Sequence, residues 1–448
     1  MATTVMDSLF SSHAAQRHPV RSLSILFILW KGFLVAIALG ASLFPAYDTS
    51  TSLFIERMYG RNASISTLAT QLTRWDALYF MHAAIKGQTV YEQEWAFGMG
   101  FPSAIRLLKP SGISEPVVAI AMTHAAHYIA ALCLYRLTLL LWTGNRRLAF
   151  LSAALHILSP AGLFLSAPYN ESPFACLCFL GNLLFGMGIG LGSSRDDACG
   201  QMRAAGTVVA SGLVFGLATT FRSNGLSSGL MFAAEAAIRL HMFVQWPPRR
   251  RHLVAVGAAG VGGLFVAAGS LVPQTLAWKR YCTSPSPMGS SSSSSSSMRP
   301  WCQQRIPSIY TFVQEHYWNV GFMRYWTWNQ VPLFLLATPM LVIMIKSGLD
   351  VLRTSHRTAT IPVPDWRTMG PFVGALAASQ VLVAVLAITT YHVQIITRIS
   401  SGYPVWYWWV AACLMDKKRE RAGSAIVVFM VMYAGIQGGL FASFLPPA

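Results

Sequence analysis

Long apolar stretches separated by short polar loops dominate the chain, and they recur almost from one end to the other. About 20 apolar residues in a helix are enough to cross the hydrocarbon core of a bilayer. The pattern therefore predicts an all-α polytopic membrane protein with about eleven transmembrane helices, whose luminal loops carry short amphipathic helices. The predicted spans are 23–44, 116–142, 148–167, 173–192, 204–221, 225–244, 253–278, 331–346, 370–390, 403–415 and 424–445.

Basic residues in the loops predict how the chain is oriented. Arg17, His18 and Arg21 precede the first span, and because Lys and Arg accumulate in cytoplasmic loops, residues 1–22 are predicted to be cytoplasmic. The first span exceeds a signal-peptide core in length and is interrupted by Lys31, which favours an uncleaved signal anchor.

Residues 23–445 are then predicted to form one polytopic catalytic domain. Basic residues recur in every second loop, which agrees with this alternation. The two long loops, 45–115 and 279–330, are predicted to be luminal, and most of the polar motifs lie in the luminal loops. The chemistry is therefore expected to face the lumen.

Composition agrees with a lipid environment, since 54% of the residues are hydrophobic and 11% are charged. A net charge of +17 would suggest a nucleic-acid partner in a soluble protein. Here many Lys and Arg residues lie in short loops between apolar spans, where they set topology. The expected partner is the lipid bilayer, and no nucleic acid is expected.

Two cysteines, Cys282 and Cys302, are the only ones in predicted luminal loops. An oxidising lumen allows such a pair to form a disulfide. Between them lies a serine-rich insert, residues 284–298, which is predicted to be disordered. The sequence therefore predicts a closed loop around a disordered insert.

Other short motifs predict a glycan and argue against a metal site. Asn62 begins a sequon in the first luminal loop and is a predicted glycosylation site. Asn170 also begins one, but it lies against the membrane and more plausibly serves the site. The Cys176-x-Cys178 pair has no His or Cys cluster beside it, so no metal is predicted.

The polar stretch 72–102 contains the first candidate for catalysis. Asp76 follows Arg74 and Trp75 close to the predicted membrane surface. A carboxylate can accept a proton from a hydroxyl group, which is the task of the base in sugar transfer. The alternative is that Arg74 and Asp76 are ordinary charges at the end of a span.

Cationic and aromatic residues in the later luminal loops are candidates for binding substrate. Arg222, His392 and Arg398 can neutralise a phosphate, although Arg222 at the end of a span can also simply reach towards the interface. Trp318 and Asn319 can contact a sugar, but Trp and Tyr at a membrane interface often serve as anchors. Both interpretations stay open on the residues alone.

Six segments in order carry a resemblance to a known family. They are RWDALYF (74–80), YEQEWAFGMGFP (91–102), SPAGLFLSAPYNESPFA (159–175), FRSNG (221–225), PSIYTFVQEHYWNVGFMRYW (307–326) and HVQIITR (392–398). The chain resembles the eukaryotic PIG-V family, whose members add the second mannose to the glycosylphosphatidylinositol (GPI) core. Two features depart from the pattern: Gly98-Met99 stands where Phe-Pro is expected, and the serine run is foreign to it.

The resemblance implies a GT-C-like glycosyltransferase fold and the endoplasmic reticulum membrane as location. It implies dolichyl-phosphate-mannose as donor and a mannosyl-glucosaminyl-acylphosphatidylinositol as acceptor, with inverting transfer in α1,6 linkage and no cofactor. Whether a small accessory membrane subunit is needed stays open. Asp76 is the expected catalytic base, and the expected substrate-binding residues are Arg74, Trp75, Glu92, Asn170, Glu171, Arg222, Asn224, Trp318, Asn319, His392, Gln394 and Arg398.

Two other functions remain as alternatives. A different polyprenyl-phosphosugar-dependent transferase would share the donor chemistry and differ in the acceptor. A lipid-linked sugar flippase would share the polytopic form, but predicts inverted repeats and ionisable residues at mid-membrane. No obvious repeat is present, and the motif acids and bases gather on one predicted face, which favours an enzyme.

Overall fold

The computed structural model describes residues 17–62, 65–194, 197–245, 250–283, 299–353 and 366–445. Within these ranges every regular element is a helix and no strand occurs, which confirms the all-α prediction. The serine-rich insert 284–298 lies outside the described residues. So do Ala63 and Ser64 of the first sequon, whose Asn62 is exposed.

The α-helices of the described residues are numbered in chain order. They are α1 (Pro19–Ala41), α2 (Ser50–Tyr59), α3 (Thr67–Leu72), α4 (Ala77–Lys86), α5 (Gly100–Leu108), α6 (Glu115–Leu141), α7 (Arg146–Ile157), α8 (Glu171–Ser194), α9 (Ala198–Phe221), α10 (Gly229–Gln245), α11 (Arg250–Trp278), α12 (Ile309–Trp318), α13 (Val331–Arg353), α14 (Trp366–Thr389), α15 (Ile396–Ile399), α16 (Val405–Met415) and α17 (Glu420–Ala442). The long loops thus carry short helices: α2 to α5 in the first and α12 in the second.

Eight helices of the described residues are long and apolar enough to cross a membrane: α1, α6, α8, α9, α11, α13, α14 and α17. The polytopic prediction is confirmed, whereas the number eleven is not. The three remaining predicted spans correspond to α7, α10 and α16, which have 12, 17 and 11 residues. Helices α7 and α16 are almost entirely buried and pack on each other. Apolar composition alone does not distinguish such buried helices from spanning ones.

Close helix packing places the ends of the central spans side by side. Helix α8 packs against α6 and α9, and α9 packs against α11. At the α9–α11 crossing, a Cβ on Gly212 would lie 2.3 Å from the Cα of Gly262. Only a residue without a side chain permits this approach, as is common where membrane helices pack. This crossing fixes the direction of α9, and therefore the positions of Phe221 at its end and of Arg222 directly after it.

A second, smaller apolar cluster joins the two long loops. Its buried members are Trp95, Ala277, Trp301, Ile309 and Val313. A disulfide between Cys282 and Cys302, whose Cα atoms are 5.6 Å apart, lies beside this cluster. The cluster and the disulfide hold α12 against the segment that follows α4.

Candidate active site

A cavity of about 540 Å³ lies where the two long loops meet the ends of α8 and α9. Nine of the residues predicted to act on substrate line it. They are Trp75, Asp76, Asn170, Arg222, Asn224, Trp318, His392, Gln394 and Arg398. Segments that are far apart in sequence therefore converge on one polar space.

Asp76 reaches the cavity because of the backbone just before it. Trp75 has a φ of +53°, a conformation that is uncommon for a residue with a side chain. Asp76 is the N-cap residue that directly precedes α4, and its side chain is 33% exposed. Its Oδ2 accepts a hydrogen bond from Nη1 of Arg398 at 3.1 Å, while Oδ1 makes no hydrogen bond to the described residues. One carboxylate oxygen is thus free to meet a ligand.

Glu171 is the shared partner of two arginines at the cavity wall. It is the first residue of α8 and is fully buried, a position where the helix dipole favours a negative charge. Its Oε1 lies 2.7 Å from Nη1 of Arg222 and 2.7 Å from both Nε and Nη2 of Arg398. Although Glu171 does not line the cavity, it fixes both guanidinium groups that do.

Arg222 comes directly after α9 and is held by two amide side chains. Its Nη1 donates to Oδ1 of Asn170 at 3.0 Å, and its Nε donates to Oδ1 of Asn224 at 3.3 Å. Asn170 in turn donates to the carbonyl of Phe221 at 2.6 Å. These bonds lock the turn that presents Arg222.

Gly98, where the chain departs from the expected family pattern, lies very close to the turn formed by Phe221 and Arg222. Its φ is +82°, and a Cβ there would lie 2.5 Å from the carbonyl oxygen of Phe221. A side chain would be strained by the backbone and would clash as well. The glycine therefore lets the 92–97 segment close over the end of α9.

Arg398 is enclosed by aromatic rings as well as by carboxylates. Its guanidinium lies 4.4 Å from the ring centroid of Phe164 and 4.9 Å from that of Tyr169, distances at which a cation is attracted to a ring face. Burial alone would lower the pKa of Arg398, but the neighbouring Glu171 and Asp76 carboxylates raise it above its ordinary value. Arg398 therefore stays charged.

His392 adds a neutral polar group to the wall. Burial lowers the pKa of His392 below 6.5, opposed by Asp76 and reinforced by Arg398. Its Nδ1 is buried and has no hydrogen-bond partner among the described residues. Its ring lies edge-on to Tyr325, whose hydroxyl donates to Gln394 at 3.2 Å. At neutral pH the ring therefore offers hydrogen bonds but no charge.

Aromatic side chains also line the cavity. Most of them are not among the site residues predicted from the sequence. The rings of Tyr79 and Phe97 stack at 4.9 Å, and Phe97 lies edge-on to Trp318 at 5.4 Å. Tyr79 lies almost one helical turn after Asp76, so helical spacing alone could have placed it on the same face. Tyr169 shares a family segment with Asn170 and Glu171, which was the available signal for it.

Besides Glu171, three residues predicted to bind substrate do not line the cavity. Arg74 donates to Gln71 at 2.7 Å and lies over the ring of Phe444. Glu92 joins the loops by accepting hydrogen bonds or an ion pair from Arg299, Trp301 and Tyr317. Asn319 ends α12 in a left-handed conformation. The positions of these three side chains therefore do not support direct contact with substrate. A residue that lies close to a motif in sequence can still direct its side chain away from the cavity.

The described residues contain no group of three or more His, Cys, Asp or Glu side chains arranged to hold a metal ion. The free cysteines Cys176 and Cys178 lie within α8. In the described part of the chain, the positive charge that the cavity offers to an anion comes from arginine.

Nearly the whole chain is similar to one family of known proteins. The family model for the PIG-V mannosyltransferases matches residues 19–448. The chain is 52% identical over 436 residues to GPI mannosyltransferase 2 of Gibberella zeae, covering 96% of this chain and 98% of that protein. It is 32% identical over 386 residues to GPI alpha-1,6-mannosyltransferase 2 of Cricetulus griseus, covering 78% of this chain and 74% of that one.

Among solved structures, the chain is similar to an oligosaccharyltransferase from Archaeoglobus fulgidus in complex with an inhibitory peptide and a dolichol-phosphate. The TM-score is 0.43 at 11% identity, covering 91% of this chain and 56% of that one. The family model covers nearly the whole chain and the sequence identity to its members is high. The chain therefore belongs to the PIG-V family of mannosyltransferases.

Proposed function

We propose that the protein transfers mannose from dolichyl-phosphate-mannose, in α1,6 linkage, to the first mannose of the GPI precursor. The observation that carries this proposal is the cavity in which Asp76 keeps one carboxylate oxygen free and which the side chain of Arg222 also lines. That pairing suits a reaction that removes a proton from one substrate and releases a phosphate from the other. The names of the relatives support the choice of a GPI intermediate as acceptor.

The proposed reaction is a single displacement with inversion. The 6-hydroxyl oxygen of the acceptor attacks the anomeric carbon of the donor mannose, and Oδ1 of Asp76 accepts the hydroxyl proton. The bond between the anomeric carbon and the phosphate oxygen breaks, and its electron pair leaves with dolichyl phosphate. A β-linked donor then gives an α-linked product.

Arg222 is the proposed contact for the donor phosphate. Its Nη2 makes no hydrogen bond to the described residues, and its side chain lines the cavity. The charges of Asp76 and Glu171 balance those of Arg222 and Arg398, so an incoming phosphodiester adds a negative charge to a neutral cluster. Charge that grows on the leaving phosphate is stabilised by this preformed cation. The proposal includes neither a metal ion nor another cofactor.

The proposal places the protein in the endoplasmic reticulum membrane as a multi-pass protein, with a cytoplasmic N-terminus and the cavity on the luminal side. Eight apolar helices of spanning length among the described residues support the multi-pass part. The endoplasmic reticulum, the cytoplasmic N-terminus and the luminal position of the cavity are what the family resemblance implies. A requirement for a small accessory subunit is left to experiment.

The decisive experiment examines GPI intermediates in cells that lack the protein. A build-up of the species with one mannose is expected, and re-expression of the wild-type chain removes it whereas Asp76→Asn does not. A normal GPI profile would refute the proposed acceptor. Transfer by the purified protein to another lipid or protein acceptor would point to a different phosphosugar-dependent transferase, and movement of the donor across vesicles without transfer would indicate a flippase.

A further inference from the structure

The two arginines of the cavity differ in how many of their nitrogen atoms are already occupied. All three nitrogens of Arg398 contact a carboxylate: Nε and Nη2 both lie 2.7 Å from Oε1 of Glu171, and Nη1 donates to Asp76. The ring centroids of Phe164 and Tyr169 lie 4.4 Å and 4.9 Å from its guanidinium carbon, and only 14% of the side chain is exposed. The carboxylates of Asp76 and Glu171, which these nitrogens already contact, would repel a phosphate that approached Arg398.

Arg222 has the complementary arrangement. Nε and Nη1 hold it in place through Asn224, Asn170 and Glu171, while Nη2 makes no hydrogen bond to the described residues. A guanidinium fixed at one end and open at the other is suited to bind an anion without losing its own anchors. The structure therefore separates two roles that the sequence assigned to one group of cations.

We propose that Arg398 is a positioning residue that orients Asp76, and that it does not bind the donor phosphate. This inference rests on the proposed function, because it concerns the base of that reaction. Nη1 of Arg398 holds Oδ2 of Asp76, which directs Oδ1 towards the acceptor.

The test separates the two arginines by steady-state kinetics of the purified full-length chain, using dolichyl-phosphate-mannose as donor. Arg398→Gln is expected to lower kcat by about 10²-fold, since a misplaced base loses about that much, and to leave the donor KM within about twofold. The matched comparator, Arg222→Gln, is expected to raise the donor KM instead. If Arg398→Gln raises the donor KM as Arg222→Gln does, the inference is wrong.

Rescue by lysine gives a readout that a purely structural role would not move. Arg398→Lys keeps a cation next to Asp76 and is expected to recover part of the kcat that Arg398→Gln loses, at an unchanged donor KM. A loss of kcat in Arg398→Lys as large as in Arg398→Gln contradicts the proposed role.

A double-mutant cycle with Asp76→Asn completes the test. If Arg398 acts through Asp76, Arg398→Gln costs little further activity once Asp76 is already an asparagine. Independent, additive losses would overturn the inference. Should Arg398→Gln fail to fold, Arg398→Lys takes its place, with lowered kcat at an unchanged donor KM expected and a raised donor KM contradicting. Absence of mannose transfer by the wild-type protein would instead refute the proposed function.

Discussion

At the scale of single residues, the chemistry depends on which polar atoms the protein has left unoccupied. Asp76 uses one oxygen to bind Arg398 and keeps the other open, while Arg222 uses two of its nitrogens as anchors and keeps the third open. A free hydrogen-bond acceptor, Oδ1 of Asp76, and a free donor, Nη2 of Arg222, thus belong to side chains that line one cavity. The other polar atoms of each side chain hold it in place. Such preorganisation means that little has to move when the charge of the reaction develops.

Replacing Asp76 with asparagine tests the base directly. The amide keeps the shape and can still accept a hydrogen bond from Arg398, but it cannot take up a proton. Loss of a general base lowers the rate by about 10² to 10⁴-fold, so we expect kcat to fall by that factor in a folded protein. Asp48→Asn is the control, because Asp48 lies outside the cavity and accepts a bond from the Ser50 amide. Near wild-type turnover of Asp76→Asn would exclude the base role.

Replacing Arg222 with lysine tests whether the guanidinium binds phosphate or merely supplies charge at the end of α9. Lysine keeps the charge and loses the planar fork, so the donor KM is expected to rise, with a larger rise in Arg222→Ala. Arg239→Lys is a matched control, because Arg239 pairs with Glu235 within α10, away from this cavity. Donor kinetics are measured at matched protein amounts. Wild-type kinetics in both Arg222 variants would leave that residue as an interfacial anchor only.

At the scale of elements, the turns that flank the spans carry the site. Lys31 in the middle of α1 donates to the carbonyl of Leu165 at 2.9 Å and to the hydroxyl of Ser166 at 2.8 Å. These bonds hold the segment whose Phe164 and Tyr169 rings enclose Arg398. An ionisable residue buried at mid-span commonly marks function, and here the contacts show it supporting the turn behind the active site.

The disulfide belongs to this scale because it closes the second long loop next to the apolar cluster of Trp95 and Trp301. We expect Cys282→Ser with Cys302→Ser to loosen α12 and with it Trp318, raising the acceptor KM more than the donor KM. A membrane-impermeant thiol reagent should label neither cysteine in the wild-type protein until a reductant is added. Labelling of both thiols without reductant would contradict the bond. Cys199→Ser, at an exposed free cysteine, is the control.

The elements also show what the sequence can and cannot predict. Apolar length identified the eight long helices, because spanning a bilayer requires it. It failed for α7 and α16, where a fully buried environment within the protein selects the same residue types as lipid does. Motifs located Asp76 and Arg222, since polar residues at the ends of apolar spans are informative. They misplaced Glu92, because neither the pairing of the two long loops nor its ion pair with Arg299 is encoded locally.

At the scale of the whole molecule, one ion network joins segments from most of the chain. The contacts of Arg398 reach Asp76 over a separation of 322 residues and Glu171 over 227. Their geometry therefore depends on how α4, α8, α9 and α15 are packed together, not on any one loop. Because packed interiors transmit small displacements, changes in helix packing far from the cavity should alter catalysis as well.

The dependence of the site on helix packing is strongest at Glu171, because its Oε1 binds both Arg222 and Arg398. In Glu171→Gln the two guanidinium groups would have only Asp76 as a charged partner. Breaking a buried ion pair by removing one member costs roughly 3–5 kcal/mol, so we expect a clear fall in the thermal unfolding midpoint in detergent, together with loss of transfer.

Two comparisons separate this structural effect from a catalytic one. Asp76→Asn should lose a similar share of activity at an almost unchanged unfolding midpoint, because Asp76 is partly exposed and its replacement can still bind Arg398. Glu235→Gln removes a carboxylate whose partner Arg239 lies one turn away in the same helix, so this change breaks an ion pair without separating two segments of the chain. A Glu171→Gln protein as stable as the wild type would mean that helix packing alone fixes the two arginines, and that Glu171 contributes charge to the site without holding the segments together.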